Sequence, residues 1–256
     1  MLKIFSWNVN SVNARLENII QLVQEQEPDI LLLQETKCEE HKFPSEILGG
    51  LDYNIAISGQ KSYNGVAILS RYRMDDVQVK NFSGFESDAR YIEVLVEVSG
   101  KCLRVASVYV PNGQAVLSEK FPRKLNYIDD LRQYIEAIDD HFIIGGDFNV
   151  AHEPIDLYDP IKLRNHLGFH DKERIRIKEI LDGKFKDSLR HIYPNKRVFT
   201  WWDYRDRFSF KEDRGWRIDY ILTNRVDNIN NADVLRDTRE WTRPSDHAPV
   251  FCEITL

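Results

Sequence analysis

The chain has 256 residues, 42% of them hydrophobic and 30% charged, with 13 Phe, 11 Tyr and 5 Trp. That much apolar and aromatic surface builds a substantial core and excludes disorder as the main state. Lys and Arg number 35 against 41 Asp and Glu, a formal net charge of −6, which taken as a total argues against a polyanionic partner.

The first residues, MLKIFSWNVN, turn polar too soon for a signal peptide, and no apolar run reaches the roughly 20 residues of a membrane span. A soluble, cytoplasmic chain with no membrane contact is expected. Strand-like runs then recur in order: LKIFSWN, DILLLQE, YNIAIS, GVAILS, YIEVLVEV, CLRVASVYV, HFIIGGDFN, VFTWW, WRIDYILT and PVFCEITL. After the first run, Leu16, Ile19, Ile20 and Val23 form one helical stripe. Residues 91–98 alternate, with Ile92, Val94, Val96 and Val98 on one face and Glu93 and Glu97 on the other, as in a half-buried strand. Leu125, Ile128, Leu131, Ile135 and Ile138 make a second helical stripe, with Ser118 as its expected cap and Pro122 in its first turn. Cys38, Cys102 and Cys252 are widely separated and odd in number, so they read as reduced thiols rather than a disulfide or zinc framework. Strands outnumber helices and no linker divides the chain. The expectation is one α+β domain over 1–256, with mixed sheets covered by helices.

Polar residues at the strand ends carry the chemistry. Asn8 and Asn10 close the first strand, Glu35 ends DILLLQE, and Asp147 and Asn149 end FIIGGDFN. Asp219 lies within WRIDYIL, where a carboxylate must find a partner, and Asp246 with His247 opens the last strand. One such residue alone is ordinarily a turn former; their recurrence points to a site. Asp147 and Asn149, two apart in extended chain, would face the same ligand. The oxygen-rich set Asn8, Glu35, Asp147, Asn149 and Asp246 suits Mg²⁺ or Mn²⁺ better than zinc. His247 is a candidate base or phosphate contact, and Asp219 its orienting carboxylate. No G-x-S-x-G elbow or G-x-x-x-x-G-K-[ST] loop is present, which leaves acyl-enzyme and standard NTPase chemistry without support.

SWNVNS, LLLQETK, SYNGVAILS, YVPNG, GGDFNVA, FTWWDY, GWRIDYIL and SDHAPV occur in this order along the chain. On these motifs, spanning Lys3 to Ile254, the sequence resembles the exodeoxyribonuclease III and abasic-site endonuclease family. The resemblance implies a four-layer α/β sandwich, two packed mixed sheets flanked by helices. It implies a Mg²⁺-dependent DNA repair nuclease that cuts 5′ of abasic sites and processes 3′ ends, with Mn²⁺ as a substitute and duplex DNA, abasic or 3′-blocked, as substrate. A monomer is expected.

By the same resemblance, Glu35 is the principal metal ligand, with Asn8 and Asp246 supporting it and Asp147, Asn149 and His247 completing the metal environment. Tyr109 contacts the scissile phosphate, Asp147 activates water or protonates the leaving oxygen, Asn149 stabilises the pentavalent state, and His247 contacts the phosphate while paired with Asp219. Whether Asp147 or His247 is the base, and whether one or two metals act, stays open at this level. Lys37, Arg90 and Asn112 lie beside site motifs as candidate backbone contacts, and Trp201 and Trp216 as walls for an extruded abasic sugar, whereas Trp202 reads as core. Asn13 stands where the family typically has an Arg, which weakens one duplex contact or moves it to Arg15. Two other readings are a phosphodiesterase acting on lipid headgroups and a catalytically dead DNA-binding module. The first lacks a membrane-inserting segment, and the second is at odds with the complete set of catalytic residue types. Charge is also unevenly spread: residues 161–217 hold 16 basic and 9 acidic residues, +7, leaving −13 elsewhere. A basic face is therefore expected despite the negative total.

Overall fold

A computed structural model describes residues 1–256. In chain order the strands are β1 (Leu2–Asn8), β2 (Ile30–Gln34), β3 (Asn54–Ser58), β4 (Val66–Ser70), β5 (Met74–Val79), β6 (Tyr91–Val98), β7 (Lys101–Tyr109), β8 (Phe142–Asp147), β9 (Lys186–Asp187), β10 (Asp219–Thr223), β11 (Ile229–Val234) and β12 (Val250–Ile254). The helices are α1 (Leu16–Gln26), α2 (Ser45–Gly49), α3 (Lys120–Glu136), α4 (Asp171–Asp182) and α5 (Ser188–Ile192). They build two six-stranded sheets, ordered β11-β12-β1-β2-β4-β3 and β5-β6-β7-β8-β10-β9. Only β1–β2 and β7–β8 pair in parallel, so both sheets are mixed.

Alternation along the strands explains the layers. Ile4, Ile30, Leu32 and Ile68 of one sheet meet Val94, Val105, Ile143 and Ile221 of the other in the central core. The opposite faces bury Phe5, Trp7 and Leu31 against Ile19, Leu22 and Val23 of α1, and Val108, Ile144 and Leu222 against α3 and α4. The four-layer sandwich expected from sequence is thus the observed fold. No helix is long and apolar enough to cross a membrane. At the functional end the sheets approach closely because β8 carries Gly145, where a Cβ would lie 2.7 Å from Leu32 and 3.0 Å from Ser6 of the facing sheet.

Several local expectations change. Ser118 does not cap α3; Glu119 occupies that position, and the Ser118 hydroxyl donates to the Gly113 carbonyl at 2.8 Å. VFTWW is not a strand, and Trp201 makes only isolated bridges to Trp216 and His247. Glu93 is not on a wet face: it is 1% exposed, taking hydrogen bonds from Tyr91 and Tyr134 and pairing with Arg104. Two edge strands, β5 (MDDVQV) and β11 (INNADV), are too polar to stand out by pattern.

Much of the charge in the basic segment is spent internally. Arg217, 1% exposed, donates to Asp156 at 2.7 Å and to Asp187 at 2.6 Å, tying the start of β10 to the segments before it. Arg176, Lys184, Lys196 and Arg214 are likewise paired with acids. Removing Arg217 leaves the buried Asp187 without a cation and Asp156 with Arg190 alone, so Arg217→Leu is expected to cost about 3–5 kcal/mol in urea unfolding. A loss below about 1 kcal/mol would show that the cluster does not hold this end of the sheet.

Candidate active site

Strand register brings the site together. Tyr109 of β7 and Asp219 of β10 both pair with Asp147 at the end of β8, while Asn8 pairs with Gln34, just before Glu35, in the facing sheet. Trp7 and Ser245 fix the remaining piece. The Trp7 indole donates to the His247 carbonyl at 3.0 Å, and the Ser245 hydroxyl donates to the Asn8 carbonyl at 2.7 Å. His247 is thereby carried into the cleft between the sheet ends, 4% exposed.

Within that cleft, His247 Nδ1 lies 2.9 Å from Asp219 Oδ2, and its Nε2 lies 3.8 Å from Asp147 Oδ2. Asn8 Nδ2 donates to both Glu35 Oε1, at 2.8 Å, and Asp147 Oδ2, at 2.9 Å. Its Oδ1 instead accepts from the Asn10 N–H at 3.1 Å, so Asn8 serves the carboxylates as a donor and turns its oxygen away from them. Asp147 and Asn149 do meet, though not by strand alternation. Asn149 adopts a left-handed φ of 52°, which returns its Nδ2 to within 3.3 Å of Asp147 Oδ2. Asp246 sits to one side, accepting from Asn10 Nδ2 at 2.9 Å and Trp201 Nε1 at 3.0 Å.

The electrostatics follow from this crowding. Burial, and next the Asp219 charge, raise the Asp147 carboxyl to about 7 against the opposing pull of His247 and Asn8. Burial disfavours a charged His247, yet Asp219 and Asp147 push its pKa up to about 10, so it is held as an imidazolium. Burial followed by the Glu35 and Asp147 charges keeps the Tyr109 hydroxyl protonated well above its ordinary range. Burial would raise Asp246, but His247 and the bonds from Asn10 and Trp201 bring it below the usual carboxylate value.

Ligand atoms of Glu35, Asp147 and His247 lie within 4.8 Å of one another; the two carboxylates could hold one hard cation, while the imidazolium, having no free lone pair, stands beside it. Above them opens a cavity of about 450 Å³, walled by Trp201, Trp216, Ile218 and Leu167, with Asn112 and Gln114 at its edge. Trp216 and Trp201 line it as expected, and Trp202 is core, at 0% exposed.

The remaining candidates are placed differently. Lys37 does not project outward; its ammonium lies 2.8 Å from Glu35 Oε2 and 2.5 Å from Asn10 Oδ1, inside the carboxylate cluster. Arg90 is bound to Asp88 at 2.8 Å and stacked over the Tyr109 ring. Asn112 donates to Asn149 Oδ1 at 3.2 Å. Asn13 is exposed, and Arg15 donates to the Asn10 carbonyl, the Tyr204 hydroxyl and the Pro244 carbonyl. Sequence reasoning missed Asn10 as a partner of Asp246, although its spacing from Asn8 was a signal. Gln114, Leu167 and Ile218 gave none.

A model of the endonuclease/exonuclease/phosphatase family matches residues 5–247. The chain belongs to that family. It is 31% identical to the exodeoxyribonuclease III of Haemophilus influenzae, over 98% of this chain and 99% of the relative. Among solved structures, an AP endonuclease from Archaeoglobus fulgidus superimposes with a TM-score of 0.95 at 37% identity, covering 100% of both chains. A 3′ phosphatase from Neisseria, determined bound to a product DNA hairpin, superimposes with a TM-score of 0.93 at 36% identity, again covering 100% of both.

If Glu35 anchors the cation, Glu35→Gln weakens Mn²⁺ binding by at least about tenfold with the circular dichroism spectrum unchanged. Titration followed by electron paramagnetic resonance reads this directly; wild-type affinity in the variant removes Glu35 from the ligand set.

Proposed function

We propose that this chain is a Mg²⁺-dependent DNA repair nuclease, hydrolysing phosphodiesters 5′ of abasic sites and clearing 3′ ends of duplex DNA. The observation that carries the reading is the convergence of Glu35, Asp147 and the His247–Asp219 pair beneath a cavity walled by Trp201 and Trp216. The names of the relatives support it: exodeoxyribonuclease III, AP endonuclease, and a 3′ phosphatase bound to DNA.

A bound Mg²⁺ supplies the Lewis acid that offsets charge building on the phosphate oxygens. Asp219 holds the imidazole by Nδ1, which leaves His247 Nε2 as a charged donor to a non-bridging oxygen. With Nδ1 held by Asp219 and Nε2 protonated, His247 has no free lone pair to take a proton, so we assign Asp147, rather than His247, as the base. Asn149 Nδ2, beside Asp147, and the protonated Tyr109 hydroxyl donate to the same developing charge. Trp201 and Trp216, set edge to face with ring centroids 6.2 Å apart, offer an apolar corner to a sugar lacking its base and exclude water from it. Lys37 and Arg90 are assigned to holding Glu35 and Tyr109 in place, and Asn112 to the phosphate beside Asn149.

A plasmid-nicking assay on abasic and intact DNA, with Mg²⁺ or EDTA, tests the reading. Mg²⁺-dependent nicking confined to abasic plasmid is expected, and binding without nicking would contradict it. Asp147→Ala and His247→Ala are each expected to lower kcat by at least about 10²-fold. Wild-type turnover in either variant removes that residue from the mechanism. Asp219→Asn, which loosens the imidazole without emptying the cleft, is expected to lower kcat with KM nearly unchanged in steady-state kinetics.

A further inference from the structure

Lys124, in the second turn of α3, belongs to none of the site motifs, and it is 0% exposed. Its ammonium donates to the Asn149 carbonyl at 2.8 Å and the Asn112 carbonyl at 3.2 Å, and it forms an ion pair with Glu173 of α4, also 0% exposed. The other Glu173 oxygen accepts the backbone N–H groups of Gly168, at 2.8 Å, and His170, at 3.1 Å. One ion pair therefore holds three segments that border the cavity: the loop after β7, the turn after β8, and the loop that ends at Gly168.

The chain is drawn tightly around this pair. Gly113, at φ 90°, passes so close that a Cβ would lie 3.0 Å from the Lys124 side chain. At Gly168, with φ 83°, a Cβ would lie 3.3 Å from the Asn149 carbonyl and 3.1 Å from the Trp216 ring. Asn149 itself keeps its left-handed backbone while Lys124 holds its carbonyl, and that backbone is what aims its amide at Asp147. A buried ion pair is a poor source of net stability, because an apolar pair of similar volume is often as stable or more so. Its value here lies in geometry.

We propose that Lys124 and Glu173 are positioning residues for the hydrolysis. They fix Asn149 beside Asp147 and set Asn112 and Leu167–Gly168 at the height where all three loops meet the scissile phosphate and its sugar. The proposal rests on the nuclease reading above, so the assay begins with wild type: absence of Mg²⁺-dependent nicking there defeats that reading, whereas the variants address positioning alone.

Lys124→Met leaves the Glu173 carboxylate buried without its partner and is expected to lower both the urea midpoint and kcat. Adding Glu173→Leu removes both charges. The double variant is expected to regain only part of the lost urea midpoint, since the Asn112 and Asn149 carbonyls and the Gly168 and His170 N–H groups lose their partners, while kcat on an abasic duplex at saturating Mg²⁺ stays at least about tenfold down and KM moves less than about threefold. Recovery of kcat together with stability overturns the proposal, since a merely structural pair would restore both. Amide exchange in the wild-type protein supplies a second reading that does not depend on any variant folding. The Gly168 and His170 N–H groups are expected to exchange as slowly as those of β8, and exchange at the rate of an exposed loop overturns the proposal equally.

Discussion

Asp147 and Asp219 stand directly opposite each other across β8 and β10, with Glu35 on the facing sheet also adding its charge to Asp147. Like charges in such a pair repel, and burial amplifies the repulsion. Much of the surrounding structure serves to tolerate this arrangement. His247 lies between the two aspartates as a cation, Asn8 bridges Asp147 to Glu35 with its amide nitrogen, and Lys37 takes the remaining oxygen of Glu35. The central core packs the two sheets that carry these carboxylates against each other. A cluster held together in this way is prepared for a divalent cation and a phosphate.

The same reasoning reorders the view of charge. The net charge of −6 looked unfavourable for a DNA partner, and the +7 of residues 161–217 looked like the remedy. In three dimensions part of that charge is spent internally, because Arg217, Arg176, Lys196 and Arg214 are paired with acids. The cleft itself presents an acidic floor suited to a metal, with aromatic and amide side chains lining it.

How much was legible in the sequence depended on whether the signal was local. Asp219 announced itself because a carboxylate within an apolar run demands a partner, and the partner is His247. The two sheets followed from strand runs with polar ends. Asn149 meets Asp147 as expected, but its left-handed backbone, not strand alternation, brings it there. Lys124 and Glu173 were invisible. Their meeting spans 49 residues, and each falls on a helix where a charged residue ordinarily signifies a solvated face. The hydrogen bonds of Arg15 and the capture of Lys37 by Glu35 are equally products of packing. Edge strands β5 and β11 escaped notice because polar residues are what keep exposed edges from pairing further.

The central claim is that the fold holds these carboxylates together for a cation to relieve. The Asp147 carboxyl, raised from 3.8 to about 7, favours protonation in the folded state, so its contribution to stability is present at low pH and is lost as pH rises through 7. Metal binding should restore what is lost. The direct measurement is the urea midpoint with Mn²⁺ minus that with EDTA, followed from pH 6 to 8 in wild type and in Asp147→Asn. The account predicts an increment that grows with pH in wild type and stays small and flat in the variant. No stabilisation by Mn²⁺, or the same rising increment in both proteins, would contradict it.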